Sequence, residues 1–378
     1  MRFLMLSWRD PVNPMAGGAE RVSLGYLGAL VDRGHDVWWY ANAFPGGAPA
    51  ETVQGIKLVR GGGKGTSILK AVRWYRQQQP FDLVIDQHHG IPWFAPWWCR
   101  TNCIAYLHEV LGPIWRAFYP WPLSTVGQWQ ERWMHWLYRN VTFWVGSEST
   151  QRALHRRGVR EVTVIHYGID LEPLAELEPK SLRQPLELIA VSRLAPNKRI
   201  DHAIQAVSIL LRRGIEANLT IVGTGAAESQ LRQMASQLGL SGRISFTGLL
   251  AEAEKDARLR GAHLLVHTSI REGWGLNVLE ANALGTPAIV YPVDGLVDAT
   301  LHGQTGIVAR QETPESLAED LAGLLKTPEL YQRFRANACE RTKAFQWRQI
   351  LPPACDWLEK QAAKPRTQTQ LKARARRL

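Results

Sequence analysis

Short apolar runs with the character of buried β-strands alternate along this chain with longer segments of helical apolar spacing. The runs are rich in aliphatic and aromatic residues and span residues 1–7, 36–41, 82–86, 103–107, 142–146, 186–191, 217–223, 244–247, 262–268 and 287–292. Runs that are apolar on both faces and separated by helices are typical of parallel sheets covered by helices on both sides. The alternation therefore predicts an α/β fold.

The domain organisation follows from length and from one interruption of this pattern. A chain of 378 residues that is 45% hydrophobic can bury two cores. The polar, proline-bearing stretch 171–185 breaks the alternation. We therefore predict an amino-terminal domain over 1–175 and a carboxyl-terminal domain over 182–345. The helical spacing from Trp347 to Lys360 predicts a final helix within 346–362, followed by a tail over 363–378.

Two glutamates, Glu272 and Glu280, flank a Gly-Trp-Gly turn that follows one predicted strand and opens a helix. Eight residues are close to a whole number of helical turns, so the two carboxylates are expected near one face. The amides of Gly275, Leu276 and Asn277 would lie unpaired at the helix start, where they can bind an anion. The segment predicts a site for an anionic ligand with hydroxyl groups, such as a sugar nucleotide. An ordinary solvated helix face is the alternative.

Two cations follow the predicted strand 186–191, at the end where open parallel sheets bind ligands. Arg193 offers a planar fork that matches phosphate oxygens, and Lys198 offers a compact charge. Together with the glutamate segment, these cations favour a phosphate-rich ligand.

These motifs, in this order and at these spacings, resemble those of the retaining GT-B glycosyltransferases of group 1. That large family includes sucrose synthase and the phosphatidylinositol mannosyltransferases, and the resemblance covers nearly the whole chain. It implies two Rossmann-like parallel-sheet domains that face each other across a cleft. The amino-terminal domain would bind the acceptor, the carboxyl-terminal domain would bind the nucleotide-sugar, and the final helix would cross back to the first domain.

The resemblance also implies roles for individual donor-site residues. Arg193 and Lys198 would hold the donor diphosphate, Glu280 would accept from the ribose hydroxyls, and Glu272 would lie beside the donor sugar. The amides after Glu272, including those of Gly275, Leu276 and Asn277, would contact the phosphates.

The amino-terminal half carries further matches. Gly17 and Gly18 open a helix after the first strand, where the family places a Gly-Gly pair that faces the donor phosphates. His108 ends the strand 103–107, and the family places a histidine beside the donor sugar at the matching strand end. The next residue is Glu109 where the family has Asp, and Tyr167 stands where the family has Asn. His88 and His89 end another strand and are predicted to line the cleft at most.

Gly223 and Gly225 follow the strand 217–223 and resemble half of a dinucleotide fingerprint. The family has a similar pair near the nucleotide, so both glycines are carried over as donor-binding residues. No acidic residue stands where an NAD ribose would require one, which argues against a nicotinamide enzyme.

Neither the cysteines nor the carboxylates form a metal pattern. The four cysteines lack zinc-site spacing and are expected to be reduced thiols, and no Asp-x-Asp pair occurs. Arg193, Lys198 and the helix amides would supply the positive charge that a leaving diphosphate needs. We therefore expect metal-independent chemistry without a cofactor.

The formal net charge of +11 is concentrated at the end of the chain, where residues 360–378 carry seven cations and no carboxylate. This basic tail is predicted to be disordered and suited to an anionic membrane surface. Nucleic acid is a rival partner without a recognised motif, and solvated disorder without any partner is the third interpretation.

Tryptophan is concentrated in one region, with nine of the sixteen residues between positions 91 and 144. Core packing is the expected role of most of them. An acceptor platform or a peripheral membrane contact is the alternative, because tryptophan stacks on sugars and favours membrane interfaces. No apolar run approaches the roughly 20 residues of a spanning helix, and the first residues lack signal-peptide character. A cytoplasmic location, with a possible place at the membrane face, is expected.

The sequence thus predicts a retaining hexosyltransferase that uses a UDP- or GDP-sugar and a hydroxyl of a glycan or lipid-linked saccharide. His108, Glu272, Arg193 and Lys198 are its predicted catalytic residues. A phosphorylase or epimerase of the same fold is one alternative. A catalytically silent subunit that binds sugar nucleotides is the other.

Overall fold

The structure is a computed structural model that describes residues 1–63 and 65–365. The predicted basic tail lies outside the described residues from position 366 onward. Contacts divide the chain into two compact units. The first unit comprises Met1–Leu111, Gly127–Gly168 and the chain from Trp347, and the second comprises Gly112–Val126 and Ile169–Gln346.

The first unit contains an eight-stranded sheet. Its strands, numbered in chain order, are β1 (Arg2–Leu6), β2 (Asp36–Ala41), β3 (Ala50–Val53), β4 (Ile56–Arg60), β5 (Leu83–His88), β6 (Asn102–Leu107), β7 (Thr142–Val145) and β8 (Val162–Val164). The spatial order is β3-β4-β2-β1-β5-β6-β7-β8. All neighbours are parallel except the β3–β4 hairpin. The order in which strands are added to the sheet reverses between β1 and β5. Ligands of such sheets bind at the carboxyl ends of the strands beside this point.

Helices cover this sheet. They are α1 (Gly18–Asp32), α2 (Ser67–Tyr75), α3 (Ala95–Trp98), α5 (Leu123–Leu137, which begins in the second unit), α6 (Glu148–Arg156) and α14 (Trp347–Ala363). The last helix packs on α1, with the rings of Tyr26 and Trp347 edge to face at 5.3 Å. Arg33 of α1 pairs with Asp356 at 2.7 Å and with Glu359 at 3.0 Å. The carboxyl-terminal helix is therefore part of the first unit.

The second unit contains a six-stranded sheet that is parallel throughout. Its strands are β9 (Leu186–Val191), β10 (Ala217–Val222), β11 (Ile244–Gly248), β12 (Leu264–His267), β13 (Ala288–Val290) and β14 (Gly306–Val308). The order β11-β10-β9-β12-β13-β14 places β9 beside β12, so this sheet reverses its winding between them. That point is the expected ligand crevice of the second unit.

Helices also belong to the second unit, and most of them connect consecutive strands of its sheet. They are α4 (Ile114–Phe118), α7 (Ile200–Arg212), α8 (Glu228–Gln237), α9 (Glu252–Gly261), α10 (Leu276–Ala283), α11 (Leu296–Ala299), α12 (Pro314–Leu324) and α13 (Pro328–Thr342). Short 3-10 helices span Pro196–Lys198 and Lys343–Phe345. With parallel strands buried beneath helices in both units, the predicted α/β class is confirmed.

Tryptophan placement corrects one expectation. Among the nine tryptophans between positions 91 and 144, Trp93 and Trp144 are buried, whereas Trp97, Trp121, Trp129, Trp133 and Trp136 are exposed. Core packing is therefore the wrong prediction for most of this group. The spacing of aromatic residues on a helix shows which of them share a face, but it does not show whether another element covers that face.

Within residues 1–63 and 65–365, no helix is both long and apolar enough to cross a bilayer.

Candidate functional site

The two sequence motifs of the second unit meet where β9 and β12 end. Lys198 Nζ donates a hydrogen bond to Glu272 Oε1. Ser269 Oγ donates to the same oxygen at 2.8 Å, and His267 Nε2 lies 3.6 Å from it. The Lys198 and Glu272 side chains are only 16% and 18% exposed. A largely buried ion pair therefore lies at the crevice that the topology indicates.

The electrostatics fix the charges of this cluster. Burial alone would raise the pKa of Glu272, but the Lys198 ammonium, His267 and the hydrogen bonds from Lys198 and Ser269 lower it below its ordinary value. Burial lowers the pKa of His267 to about 4. At neutral pH the site consequently holds a glutamate anion and a neutral imidazole beside Lys198.

The buried imidazole of His267 predicts acid sensitivity of the fold. In the unfolded chain this residue titrates near 6.5, whereas in the folded protein it stays neutral down to about pH 4. Between these values the unfolded state binds more protons, so the free energy of unfolding falls as the pH is lowered from 6.5 to 4. A shift of this size corresponds to about 3 kcal/mol.

Denaturant unfolding across this pH range measures the effect. The His267→Gln variant, which cannot titrate at this position, should lose less stability than the wild type between pH 6.5 and 4. Equal pH dependence in the two proteins would refute the assignment.

Helix α10 begins beside this cluster. Gly275 precedes it with φ +89°, a left-handed conformation that favours glycine. Asn277 Nδ2 donates to the Val191 carbonyl of β9 at 2.8 Å, which ties the helix start to the crevice. The first amides of any α-helix lack an acceptor within the helix. In α10 these first amides are those of Leu276 and Asn277, and they lie next to the carboxyl end of β9.

Glu280 lies within α10 and is bound by a residue that the sequence did not single out. Lys255 Nζ of α9 contacts Glu280 Oε2 at 3.1 Å and Glu252 Oε2 at 2.7 Å. The Glu280 side chain is 13% exposed. A solvated helix face, the alternative that the glutamate spacing left open, is therefore wrong for this residue.

Gly223 and Gly225 allow two loops of the second unit to approach closely. A Cβ at Gly223, where φ is +127°, would stand 2.0 Å from the Ser192 carbonyl oxygen. A Cβ at Gly225 would stand 2.2 Å from the Leu194 carbonyl oxygen. Both glycines thus shape the loop after β9, on which Arg193 is exposed and its side chain makes no hydrogen bond or ion pair to a described residue.

His108 in the first unit is buried and held at both ring nitrogens. The Gln87 amide nitrogen lies 2.6 Å from Nε2, and the Tyr167 hydroxyl lies 2.7 Å from Nδ1. An amide NH2 only donates, so Nε2 accepts and Nδ1–H donates to Tyr167. Burial holds the pKa of His108 well below its ordinary value, with smaller contributions from His89 and His88. The imidazole is therefore neutral, and Tyr167 fixes its orientation.

Gly17 and Gly18 lie at the start of α1. The Gly17 amide donates to Glu20 Oε2 at 2.7 Å, and Arg9 Nε contacts Glu20 Oε1 at 3.1 Å. Gly18 is the first residue of the helix. The Gly17 amide is therefore already bound by a buried glutamate, and Gly18 is the member of the pair that lies on the helix itself.

A cavity of about 300 Å³ opens near the point where the strand order of the first sheet reverses. It is lined by Ser7, Trp8, Arg9, Glu20, Asn42, Gln87, His88 and His89. Gln87 Oε1 and Asn42 Oδ1 are buried and have no hydrogen-bond partner among the described residues. Two lining residues thus carry buried oxygens whose hydrogen-bonding capacity the described residues leave unused.

The part of the chain that the structure describes contains no group of three or more His, Cys, Asp or Glu residues placed to hold a metal ion. Cys99, Cys103, Cys339 and Cys355 are free thiols.

Comparison with known families accounts for the fold and the arrangement of these motifs. Residues 16–173 match the family Glycosyltransferase Family 4, and residues 176–341 match Glycosyl transferases group 1. The chain therefore carries a family 4 and a group 1 glycosyltransferase domain, one after the other, and its fold is GT-B.

Individual relatives agree with this placement. The chain is 34% identical to glycogen synthase of Mycobacterium tuberculosis over 196 residues, which make up 51% of this chain and 47% of that protein. It thus spans about half the length of such curated relatives.

Solved structures match over nearly the full chain. Sucrose-phosphate synthase from Thermosynechococcus elongatus superposes with a TM-score of 0.77 at 19% identity, covering 95% of this chain and 98% of that one. Anabaena HepE in complex with UDP and glucose gives a TM-score of 0.72 at 20% identity, covering 95% and 100%. At these identities the likeness establishes the fold alone.

Proposed function

We propose that the protein is a retaining glycosyltransferase that moves a hexosyl unit from a UDP- or GDP-sugar to a hydroxyl of a glycan or lipid-linked saccharide. The observation that carries the proposal is the Lys198–Glu272 pair, which lies with His267 beside the start of α10. A cation, a carboxylate and helix-start amides in one crevice match the phosphates and hydroxyls of a nucleotide-sugar. The HepE structure, which has the same fold, contains UDP and glucose.

Each donor-site residue has a distinct task in this proposal. Lys198 exchanges Glu272 for a phosphate oxygen, and the exposed Arg193 binds the same diphosphate. Glu272, released from the pair, accepts hydrogen bonds from hydroxyls of the sugar. Glu280 leaves Lys255 in the same way to accept from the ribose.

Charge stabilisation by the protein supports a metal-independent reaction. Negative charge develops on the diphosphate as the bond to the sugar breaks. Arg193, Lys198 and the first amides of α10 are fixed positive groups for that charge, and preorganised groups of this kind lower the barrier. No resident cofactor enters the proposed reaction.

The acceptor is proposed to bind the first unit. Gln87 Oε1 and Asn42 Oδ1 can only accept hydrogen bonds, and the hydroxyl groups of a saccharide can donate them. Arg9 is already paired with Glu20, so the cavity favours a neutral group over an anionic one. Neutral His108, whose ring nitrogens bond Gln87 and Tyr167 in the free protein, would release one of these partners to bond a sugar hydroxyl. A lipid-linked acceptor would place the protein at the surface of an anionic membrane.

The test is an assay of purified protein with UDP- and GDP-hexoses and neutral oligosaccharide or lipid-linked acceptors. We expect transfer with the anomeric configuration of the donor retained, as read by NMR of the product, and inhibition by free UDP or GDP. Inversion of the configuration would refute retention. A product formed from sugar phosphate and inhibited by inorganic phosphate would instead support the phosphorylase alternative.

A further inference from the structure

One face of α5 within the first unit is unusually rich in exposed aromatic rings. Trp129, Trp133 and Trp136 are 67%, 45% and 54% exposed. Their spacing of four and three residues places them along one side of the helix. Glu131, Met134 and His135, on the other side, are each 2% exposed and hold the helix to the unit.

The charges around these rings are positive. Arg132 is exposed, and the Arg139 guanidinium lies 4.4 Å from the Trp136 ring centroid while its Nη1 donates to the Trp136 carbonyl at 2.9 Å. The single carboxylate of residues 127–139 is Glu131. It is buried, where it accepts from the Leu111 amide at 2.6 Å and pairs with Arg157 at 3.2 Å. The exposed face therefore carries tryptophan and arginine without an exposed carboxylate.

We infer that Trp129, Trp133, Trp136, Arg132 and Arg139 form an aromatic surface that docks on an anionic lipid bilayer. Three neighbouring exposed tryptophans are costly to leave in water, and contiguous exposed apolar patches mark interaction sites. Tryptophan is the side chain most suited to the level of the lipid headgroups, and arginine pairs there with lipid phosphates. A two-fold interface would bring this face against its own copy, where residues 127–139 offer the arginines no exposed carboxylate, whereas an anionic bilayer supplies that charge.

The proposed function gives this surface its purpose, since a lipid-linked acceptor lies in a membrane. Lipid binding itself needs neither donor nor catalysis. The two ideas can therefore fail separately, and binding is measured in the absence of nucleotide-sugar.

The experiment is co-sedimentation of the full chain with vesicles of phosphatidylcholine alone or mixed with phosphatidylglycerol. We expect the wild type to bind the anionic vesicles more tightly, and the W129S/W133S/W136S variant to bind them about tenfold or more weakly. Arg132→Gln combined with Arg139→Gln should reduce the salt sensitivity of binding. The matched control is Leu249→Ser, because Leu249 is 79% exposed on the second unit. It should bind like the wild type.

Two results would overturn the inference. One is equal vesicle binding by the wild type and the triple tryptophan variant, each shown by circular dichroism to be folded. The other is a wild-type dimer that the triple substitution converts to monomer while neither protein binds vesicles, which would assign the surface to a second copy. Transfer to a water-soluble acceptor by the triple variant reports on the proposed function independently.

Discussion

The Lys198→Met variant is expected to lower kcat/KM for the nucleotide-sugar by about 10²–10³-fold, which is the usual cost of removing one charge-stabilising group. In the free protein the Lys198 ammonium neutralises Glu272. In the reaction it would stabilise the leaving diphosphate. Methionine keeps much of the length of lysine and removes only the charge and the donors. Steady-state kinetics with the preferred donor measure the effect.

Loss of the ion pair also affects folding, so the experiment needs a second variant. Removing Lys198 leaves the largely buried Glu272 carboxylate without its cation, which is destabilising. The double variant Lys198→Met/Glu272→Gln removes both charges, and it should recover stability while staying inactive. Lys343→Met is the matched control, because Lys343 is exposed and pairs only with the exposed Glu340 among the described residues. Activity of Lys198→Met within threefold of the wild type would contradict the assigned role.

The Gly223→Ala variant is expected to fold poorly, with a loss of about 4 kcal/mol or more. An alanine Cβ would stand 2.0 Å from the Ser192 carbonyl oxygen, far inside contact distance, and φ of +127° is unfavourable for any side chain. The Ser192 amide is bonded to the Val222 carbonyl at 3.0 Å, so this loop cannot withdraw without losing that bond. Soluble yield and the urea midpoint measure the effect.

Gly242→Ala is the matched control for this prediction. Gly242 belongs to the same unit, and a Cβ there would meet nothing within 4 Å. The control should therefore keep wild-type stability. A Gly223→Ala protein as stable as the control would show that the loop after β9 rearranges freely.

The sequence predicted the α/β fold because buried parallel strands and amphipathic helices have distinct apolar patterns. The β3–β4 hairpin escaped prediction. Its two-residue turn has φ of +49° at Gln54 and +76° at Gly55, a geometry that Asn-Gly or Asp-Gly usually signals and Gln-Gly does not. A hairpin turn can thus be formed by residues that are only weakly predictive of one.

The candidate site was predicted in outline from strand ends. Arg193, Lys198, Glu272 and Glu280 follow recognisable strands or occupy a helix at suitable spacing, and the structure brings Lys198 and Glu272 together. His267 was not assigned a role, although it is the last residue of β12. Its position at the end of a buried strand was the sequence feature that could have indicated a place in the site.

Partners from distant parts of the chain could not be predicted in this way. Lys255 binds Glu280 because α9 and α10 pack together, and Tyr167 reaches His108 across 59 residues of sequence. The acceptor oxygens of Gln87 and Asn42 become informative only when burial leaves them without partners. Such relations depend on tertiary packing, which single-residue patterns do not encode.

The most direct test of the donor site is a calorimetric titration of UDP and GDP into the wild type and Lys198→Met, with a metal chelator present throughout. We predict saturable binding of one of the two nucleotides by the wild type, and at least about tenfold weaker binding by the variant, because a charge-assisted contact to phosphate is lost. Absence of saturable binding of both nucleotides to the folded wild type, or equal affinity of the two proteins, would contradict a diphosphate site at Lys198.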